Sequence, residues 1–341
     1  MSRDGDARNA RMDGTSVLIT GGLGFIGSNL AHRCVASGAT VTLLDSNPRF
    51  KYNITGIERD VTVVEGDIRD SAVVAESVKG QDVIFHFAGQ TSHTAAMAAP
   101  HADLEVNCGG TLNVLEAARV SCPEAAIVFA GTVTAAGRAR SIPADEAQQD
   151  VPVNVYDAHK LTCEKYMSIY AHVYGMRTVT LRLANVFGER QRLGNPRRGI
   201  LNYFIGRAIL GKPITLYGDG ALLRDYNYVQ NVVDACVSAV QSPETRGHFY
   251  VVGSGRGISV KEMAGAVNEA VERAFGKATT IEHVAFPEGE EVLDAGDYVA
   301  DAGKFRAATG WHPRVPFEEG LARTVAFVKQ NVDVYLEENH G

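Results

Sequence analysis

Residues 20–27 read Thr-Gly-Gly-Leu-Gly-Phe-Ile-Gly, directly after an apolar run, Ser16–Thr20, that reads as a buried strand. Gly21, Gly24 and Gly27 lack Cβ atoms. The backbone can therefore turn tightly and approach a pyrophosphate, and the N-terminus of the helix that opens there offers N–H donors and a partial positive charge. The spacing, Gly-x-x-Gly-x-x-Gly, differs from the Gly-x-Gly-x-x-Gly of long-chain dehydrogenases. A glycine cluster alone is compatible with an ordinary turn, and its place after the first strand selects the dinucleotide reading. Asp45 ends the next strand, 18 residues past Gly27. A carboxylate there accepts hydrogen bonds from adenosine ribose hydroxyls and repels a 2′-phosphate. Ser46, Asn47 and Pro48 follow it rather than arginine, so NAD is favoured over NADP.

Working outward, the first half alternates β-branched runs with helical stretches. Ser16–Thr20, 41–45, Val61–Glu65, 83–87 and 127–130 read as parallel strands, with a sixth over 178–183. Helical periodicity runs over 26–37, 104–120 and Val155–Tyr174. This is the rhythm of an α/β, doubly wound parallel sheet of Rossmann type. After Val186 glycine, proline and arginine accumulate, and the alternation is lost. A smaller C-terminal α/β substrate lobe is expected there. The division is a tail over 1–13, a NAD-binding domain over 14–186 plus about 226–253, and a substrate lobe over 187–225 plus about 254–341. Val229–Gln241 and Phe249–Val252 return to the first domain as a helix and a strand. Residues 260–275 and 316–330 read as surface helices of the lobe.

The chain has 341 residues and a net charge of −7, which argues against non-specific nucleic-acid binding. Yet Arg190, Arg192, Arg197, Arg198, Arg207 and Arg224 crowd one stretch, as a small anionic ligand would require, or as a solvated loop would carry. No apolar run reaches the ~18 residues of a membrane span. Met1–Asp13 is polar and charged and has no apolar leader segment, so a disordered tail rather than a signal peptide is expected. Cys34, Cys108, Cys122, Cys163 and Cys236 are odd in number and form no C-x-x-C pair. Reduced thiols, a cytoplasmic setting and no metal site are expected.

Residues 156–160, Tyr-Asp-Ala-His-Lys, put Tyr156 and Lys160 one turn apart on one helix face. A nearby ammonium and a positive nicotinamide ring both stabilise a phenolate and bring tyrosine toward general-base chemistry. Such a pair is common by chance; the glycine turn upstream gives it meaning.

These motifs, with Gly66-Asp67-Ile68, His86-Phe87-Ala88-Gly89, Asn107-Cys-Gly-Gly-Thr111, Leu181-Arg-Leu-Ala-Asn185-Val-Phe-Gly188 and Gly218-Asp-Gly-x-x-x-Arg224-Asp-Tyr, resemble the extended short-chain dehydrogenase/reductase family. The resemblance spans about residues 15–330 and is to the nucleotide-sugar epimerase and dehydratase branch, of the UDP-glucose 4-epimerase kind. It implies that Phe25 and Ile26 join the glycines at the dinucleotide, that Asp67 and Ile68 hold the adenine, and that Phe87, Ala88, Gly89 and Asn107 line the nicotinamide half. Thr132 takes the place of the family's serine or threonine beside Tyr156 and Lys160. Asn185 and Arg224 would contact a nucleotide diphosphate, for which a guanidinium is suited. A homodimer through helices 104–120 and Val155–Tyr174 is also implied.

The departures bear on the reaction. Ala136 replaces a usual tyrosine and Gly131 a usual serine, and Glu290–Asp297 lacks an arginine that often makes a second phosphate contact. Asp294 remains as a contact for a ribose or sugar hydroxyl, and the arginines at 190–198 are candidates for the missing one. Dehydratases of the family follow the threonine with a carboxylate pair; here Val133 and Thr134 stand there. The expected reaction is therefore epimerisation of a nucleotide-diphosphate sugar, at C4 through a transient ketone. A ketoreductase, a dehydratase, or epimerisation at another position with His93 or His159 as extra base remain alternatives, as does a non-catalytic NAD-sensing module.

Overall fold

The computed structural model describes residues 11–194, 199–285 and 296–337. Its strands in chain order are β1 (Ser16–Thr20), β2 (Thr40–Asp45), β3 (Val61–Glu65), β4 (Val83–His86), β5 (Ala126–Thr132), β6 (Arg177–Leu183), β7 (Asn185–Phe187), β8 (Ile214–Tyr217), β9 (Leu223–Tyr228), β10 (Phe249–Val252), β11 (Gly257–Ser259) and β12 (Ile281–Val284). Seven of them form one parallel sheet in the order β3-β2-β1-β4-β5-β6-β10. The direction of winding reverses between β1 and β4, and open α/β sheets bind ligands at such a switch point, outside the carboxyl ends of the strands.

The helices are α1 (Phe25–Ala36), α2 (Ser71–Val78), α3 (His93–Ala98), α4 (Pro100–Leu104), α5 (Gly110–Ser121), α6 (Val155–Tyr174), α7 (Ile200–Ile209), α8 (Val229–Gln241), α9 (Val260–Phe275), α10 (Gly303–Thr309), α11 (Phe317–Gln330) and α12 (Val332–Glu337). The sheet buries both faces. On one, Val17, Ile19 and Val41 meet Leu30 of α1 and Val232 of α8. On the other, Leu18, Ile84 and Ile127 meet Val74, Leu115 and Met167 of α2, α5 and α6. Strands buried on both sides explain why their sequences run apolar rather than alternating.

Three expectations are revised. The helix expected over 104–120 is broken by a π-helical turn, Glu105–Gly109, between α4 and α5. Residues 1–10 of the expected tail lie outside the described residues, but Met12 is buried in the main core and its N–H donates to Ser37 O at 2.7 Å. Residues 302–311, expected with the lobe, pack on the large sheet through Ala302, Phe305 and Trp311.

The smaller lobe has its own core. Phe204 and Ile205 of α7 meet Met263 and Val267 of α9 and Leu321 and Val325 of α11. α9 is held at its start by a reciprocal cap between Ser259 and Glu262. β9 lies between β7 and β11, and β8 pairs with β12. Asp225, fully buried on β9, accepts from Ser254 N at 2.7 Å, Gly255 N at 2.9 Å and Ala300 N at 3.1 Å, tying the lobe to the end of β10.

Candidate active site

The turn after β1 is shaped by what a side chain would hit. Gly21 has φ 69°, and a Cβ on it would sit 2.8 Å from Ala88 N, at the end of β4. A Cβ on Gly27 would overlap Gly21 O. Bare backbone therefore lets the α1 N-terminus close onto the sheet. Gly24 is the N-cap of α1, with no side chain capping it and no acidic residue in the first turn, so the helix start is left to an anionic ligand. Beneath the turn, His86 joins β1 to α5. Its Nδ1 lies 2.7 Å from Thr20 Oγ1 and its Nε2 3.1 Å from Thr111 Oγ1. Burial, and then the Lys160 charge, push its pKa down to about 3, so the ring is neutral.

Asp45 closes β2. Its carboxylate accepts from Leu23 N at 3.0 Å and Asn47 N at 2.9 Å. Burial raises its pKa against those bonds. Asn53 braces the turn from outside: its Nδ2 donates to Leu23 O at 2.8 Å, and its Oδ1 accepts from Tyr335 OH of α12 at 2.5 Å.

A cleft of about 740 Å³ opens over these strand ends. Gly21, Gly24, Phe25, Ile26, Gly27, Asp45, Asp67, Ile68, Phe87, Ala88, Gly89, Thr132, Tyr156, Lys160 and Asn185 all line it. The uncapped helix start, the glycine cradle and the carboxylate at the end of β2 fit an NAD dinucleotide. Asp67 is paired with Arg69 at 2.6 Å, and both stand on the cleft wall. Asn107 does not line it. It sits behind Gly89 in the π-turn, donating from Nδ2 to Gln90 O at 3.2 Å. That wider turn is what the sequence periodicity did not announce.

α6 carries the reactive pair. Its frame is set by a buried ion pair: Arg182 of β6 meets Glu164 of α6 at 2.6 and 2.8 Å, and Asp150 at 2.7 Å. Tyr156 is buried and its ring stacks on His93, centroids 4.9 Å apart. Lys160 is buried too, and burial pushes its pKa down to about 8 against the pull of Cys163, Asp103 and Cys108. Thr132 ends β5 on the same wall. Its Oγ1 lies 2.8 Å from Thr134 Oγ1, and Thr134 in turn donates to Asp157 Oδ1. Asp157 was not singled out in the sequence because it belongs to a different element from the threonines it serves.

Other sequence candidates lie elsewhere. His159 does not line the cleft; its Nδ1 is 2.6 Å from Asp103 Oδ1. Among the described residues the arginines do not converge on one anion. Arg190 lines the cleft but donates to Asn53 O at 3.1 Å and Asn29 Oδ1 at 3.0 Å; Arg192 also lines it and lies over the Phe50 ring. Arg207 donates to Pro213 O at 2.6 Å. Arg224 is not among the lining residues, and its guanidinium donates to Leu223 O at 2.9 Å and Gly296 O at 2.7 Å. Asp294, Arg197 and Arg198 lie outside the described residues.

With this geometry in hand, comparison with known proteins is direct. A family model described as "NAD dependent epimerase/dehydratase family" matches residues 17–253. A UDP-glucose 4-epimerase from Mycolicibacterium smegmatis is 31% identical over 321 residues, covering 92% of this chain and 98% of that one. A UDP-glucose 4-epimerase from Thermus thermophilus, solved with NAD, superposes with a TM-score of 0.77 at 33% identity, covering 92% and 98%. A dTDP-glucose 4,6-dehydratase double mutant from Streptomyces venezuelae, also solved with NAD, gives a TM-score of 0.83 at 25% identity, covering 95% and 99%.

Proposed function

The chain belongs to the NAD-dependent epimerase/dehydratase family, and from that premise we propose that it epimerises a nucleotide-diphosphate sugar at C4 through a transient 4-keto sugar. The observation that carries this reading is that Thr132, Tyr156 and Lys160 all line one cleft while Val133 and Thr134 bring no carboxylate to it. A 4,6-dehydratase needs an acid and a base across C5 and C6. The nearby carboxylate, Asp157, is buried behind the Thr134 hydroxyl.

In this reading the Lys160 ammonium holds Tyr156 as a phenolate, which takes the proton of the sugar hydroxyl and becomes a phenol. Thr132 contacts the same sugar hydroxyl before that transfer. Bound in the cleft, NAD would supply the reversible hydride acceptance that this epimerisation requires. Gly21, Gly24, Phe25, Ile26 and Gly27 hold the pyrophosphate, Asp45 the adenosine ribose, Asp67 and Ile68 the adenine, and Phe87, Ala88 and Gly89 the nicotinamide half, with Asn107 behind them. Asn185 contacts the nucleotide diphosphate and Arg224 is its proposed cation, reached from the carbonyls it now binds; Asp294 is kept for a ribose or sugar hydroxyl. The lobe holds the nucleotide while the ketone turns.

We further propose a homodimer through the outer faces of α5 and α6. Val120, Ile169, Val173 and Tyr174 there are exposed, Val120 by 72%, a cost that a partner helix pair would remove. A cytoplasmic setting is consistent with five cysteines that all stand as thiols, and no described helix is long and apolar enough to cross a membrane.

The test is to incubate the NAD-loaded protein with UDP-, GDP-, CDP-, ADP- and dTDP-sugars in deuterated water and read the products by NMR and mass. An epimer of unchanged mass with no deuterium at C4 or C5 is expected. A product lighter by one water, or deuterium at C5, overturns the reading.

A further inference from the structure

Asp157 sits one residue after Tyr156, in the first turn of α6, and is buried. Part of its bonding is a helix cap: its N–H donates to Asn154 Oδ1 at 3.0 Å, and its Oδ2 accepts from Asn154 Nδ2 at 2.7 Å. The other oxygen does something a cap does not require. Oδ1 accepts the hydroxyl proton of Thr134, whose Oγ1 is 2.8 Å from Thr132 Oγ1.

A hydroxyl has one proton to give. With the Thr134 proton committed to an ionised Asp157, the bond between the two threonines must use the proton of Thr132. Thr132 Oγ1 also accepts from Thr134 N at 3.2 Å. Toward the cleft it is therefore left with acceptor capacity only. A sugar hydroxyl can donate to such an oxygen until its one proton turns to Tyr156 for transfer; a ketone, which only accepts, cannot pair with it. Protonation of Asp157 would reverse the whole row, and Thr132 would become a donor.

We propose that Asp157 is a positioning residue that, through Thr134, fixes Thr132 as a hydrogen-bond acceptor toward the cleft, so that the site holds the sugar as an alcohol and loosens its hold once the sugar is a ketone. This rests on the epimerase reading, in which the ketone must turn before it is reduced. A site that gripped alcohol and ketone alike would oppose the turn.

Among the described residues, the ionisable group facing Asp157 from the packed elements is His93 of α3, half exposed on the cleft, with Nε2 3.9 Å from Oδ1. Thr134 and Asn154 are uncharged. On α6 itself Tyr156 and Lys160 line the cleft, and His159 is engaged by Asp103 of α4. Burial raises the Asp157 pKa, opposed by Thr134, His93 and Asn154. The reversed row is thus nearer in free energy than it would be for an exposed aspartate.

The experiment uses the full-length holoenzyme, with Thr134→Val cutting the row without touching the helix cap and Thr134→Ser restoring it. Calorimetry compares the nucleotide sugar that the parent converts with the 4-keto-6-deoxy derivative of the same nucleotide sugar. In the parent the ketone should bind more tightly as pH falls through the Asp157 titration. In Thr134→Val the freed Thr132 hydroxyl can donate, so ketone affinity relative to alcohol should rise about 3- to 10-fold, as one neutral hydrogen bond allows, and the pH dependence should vanish. Thr134→Ser should behave as the parent. Equal ratios and equal pH dependence in parent and Thr134→Val overturn the proposal.

A ligand-free measurement separates this from the epimerase reading. In 13C-aspartate NMR the Asp157 carboxyl should titrate higher in Thr134→Val than in the parent and return in Thr134→Ser. An unchanged titration overturns the row itself. A normal upward shift in a protein that converts none of the five nucleotide-sugar classes leaves the row standing and removes the epimerase reading.

Discussion

The ammonium of Lys160 lies 3.9 Å from the centre of the Phe129 ring. A cation–π contact of this kind is worth about 0.5–2 kcal/mol, yet burial still dominates and the pKa falls from 10.5 to about 8. The folded state therefore binds this proton less tightly than the unfolded chain does. Below pH 8 both states are protonated and the buried charge costs stability in full; between about 8 and 10.5 that cost fades. Lys160→Met should thus stabilise the NAD-free protein at pH 7 by roughly 1–3 kcal/mol, and the gain should be gone near pH 11, while turnover is lost. Denaturant unfolding across that range is the measurement, and destabilisation at pH 7 would contradict the account.

Tyr156→Phe removes one oxygen from a ring that stays stacked on His93. The fold and NAD affinity should be kept, and turnover should fall by about 10²–10⁴, the span of general acid–base catalysis. Turnover within tenfold of the parent would take Tyr156 out of the mechanism.

Asp45→Ala should narrow the preference for NAD over NADP, because a carboxylate at the end of β2 repels a 2′-phosphate. Calorimetry with both dinucleotides decides it. Equal or tighter NADP binding by the parent would sink the assignment of Asp45 to the ribose.

Glu164→Ala would leave the Arg182 guanidinium buried with only Asp150. Breaking a buried pair by removing one partner costs about 3–5 kcal/mol. Since Glu164 belongs to α6, NAD retention and turnover should suffer along with the unfolding midpoint. A midpoint shift of under about 1 kcal/mol equivalent would mean that water or another group compensates the arginine.

How much of this was readable in the residues differs by cause. The strand Ser16–Thr20 and the helix Val155–Tyr174 stand as expected to the residue, because their apolar periods are uninterrupted and Asn154 and Gly175 mark the helix ends. The break at Glu105–Gly109 was not readable, since a π-turn keeps helical composition while shifting the register by one. Residues 302–311 look like part of the lobe by position, and only packing shows Phe305 and Trp311 beneath the large sheet. The same limit applies at the site. Motifs name Tyr156, Lys160 and Thr132, but not the direction of the Arg224 guanidinium, nor that Asp157 of α6 takes the Thr134 hydroxyl bond behind the cleft wall. Local spacing carries the first kind of fact; contact between distant elements carries the second.

The bonds of Asn53 have a consequence for the order in which the protein becomes competent. One amide group holds Leu23 in the glycine turn and Tyr335 in α12, residues far apart in sequence. On a ribosome, which delivers the N-terminal sheet first, the turn would emerge early and wait for this brace until α12 had cleared the exit tunnel. The bracing of the glycine turn would thus be completed late in synthesis, after the strands of the smaller lobe.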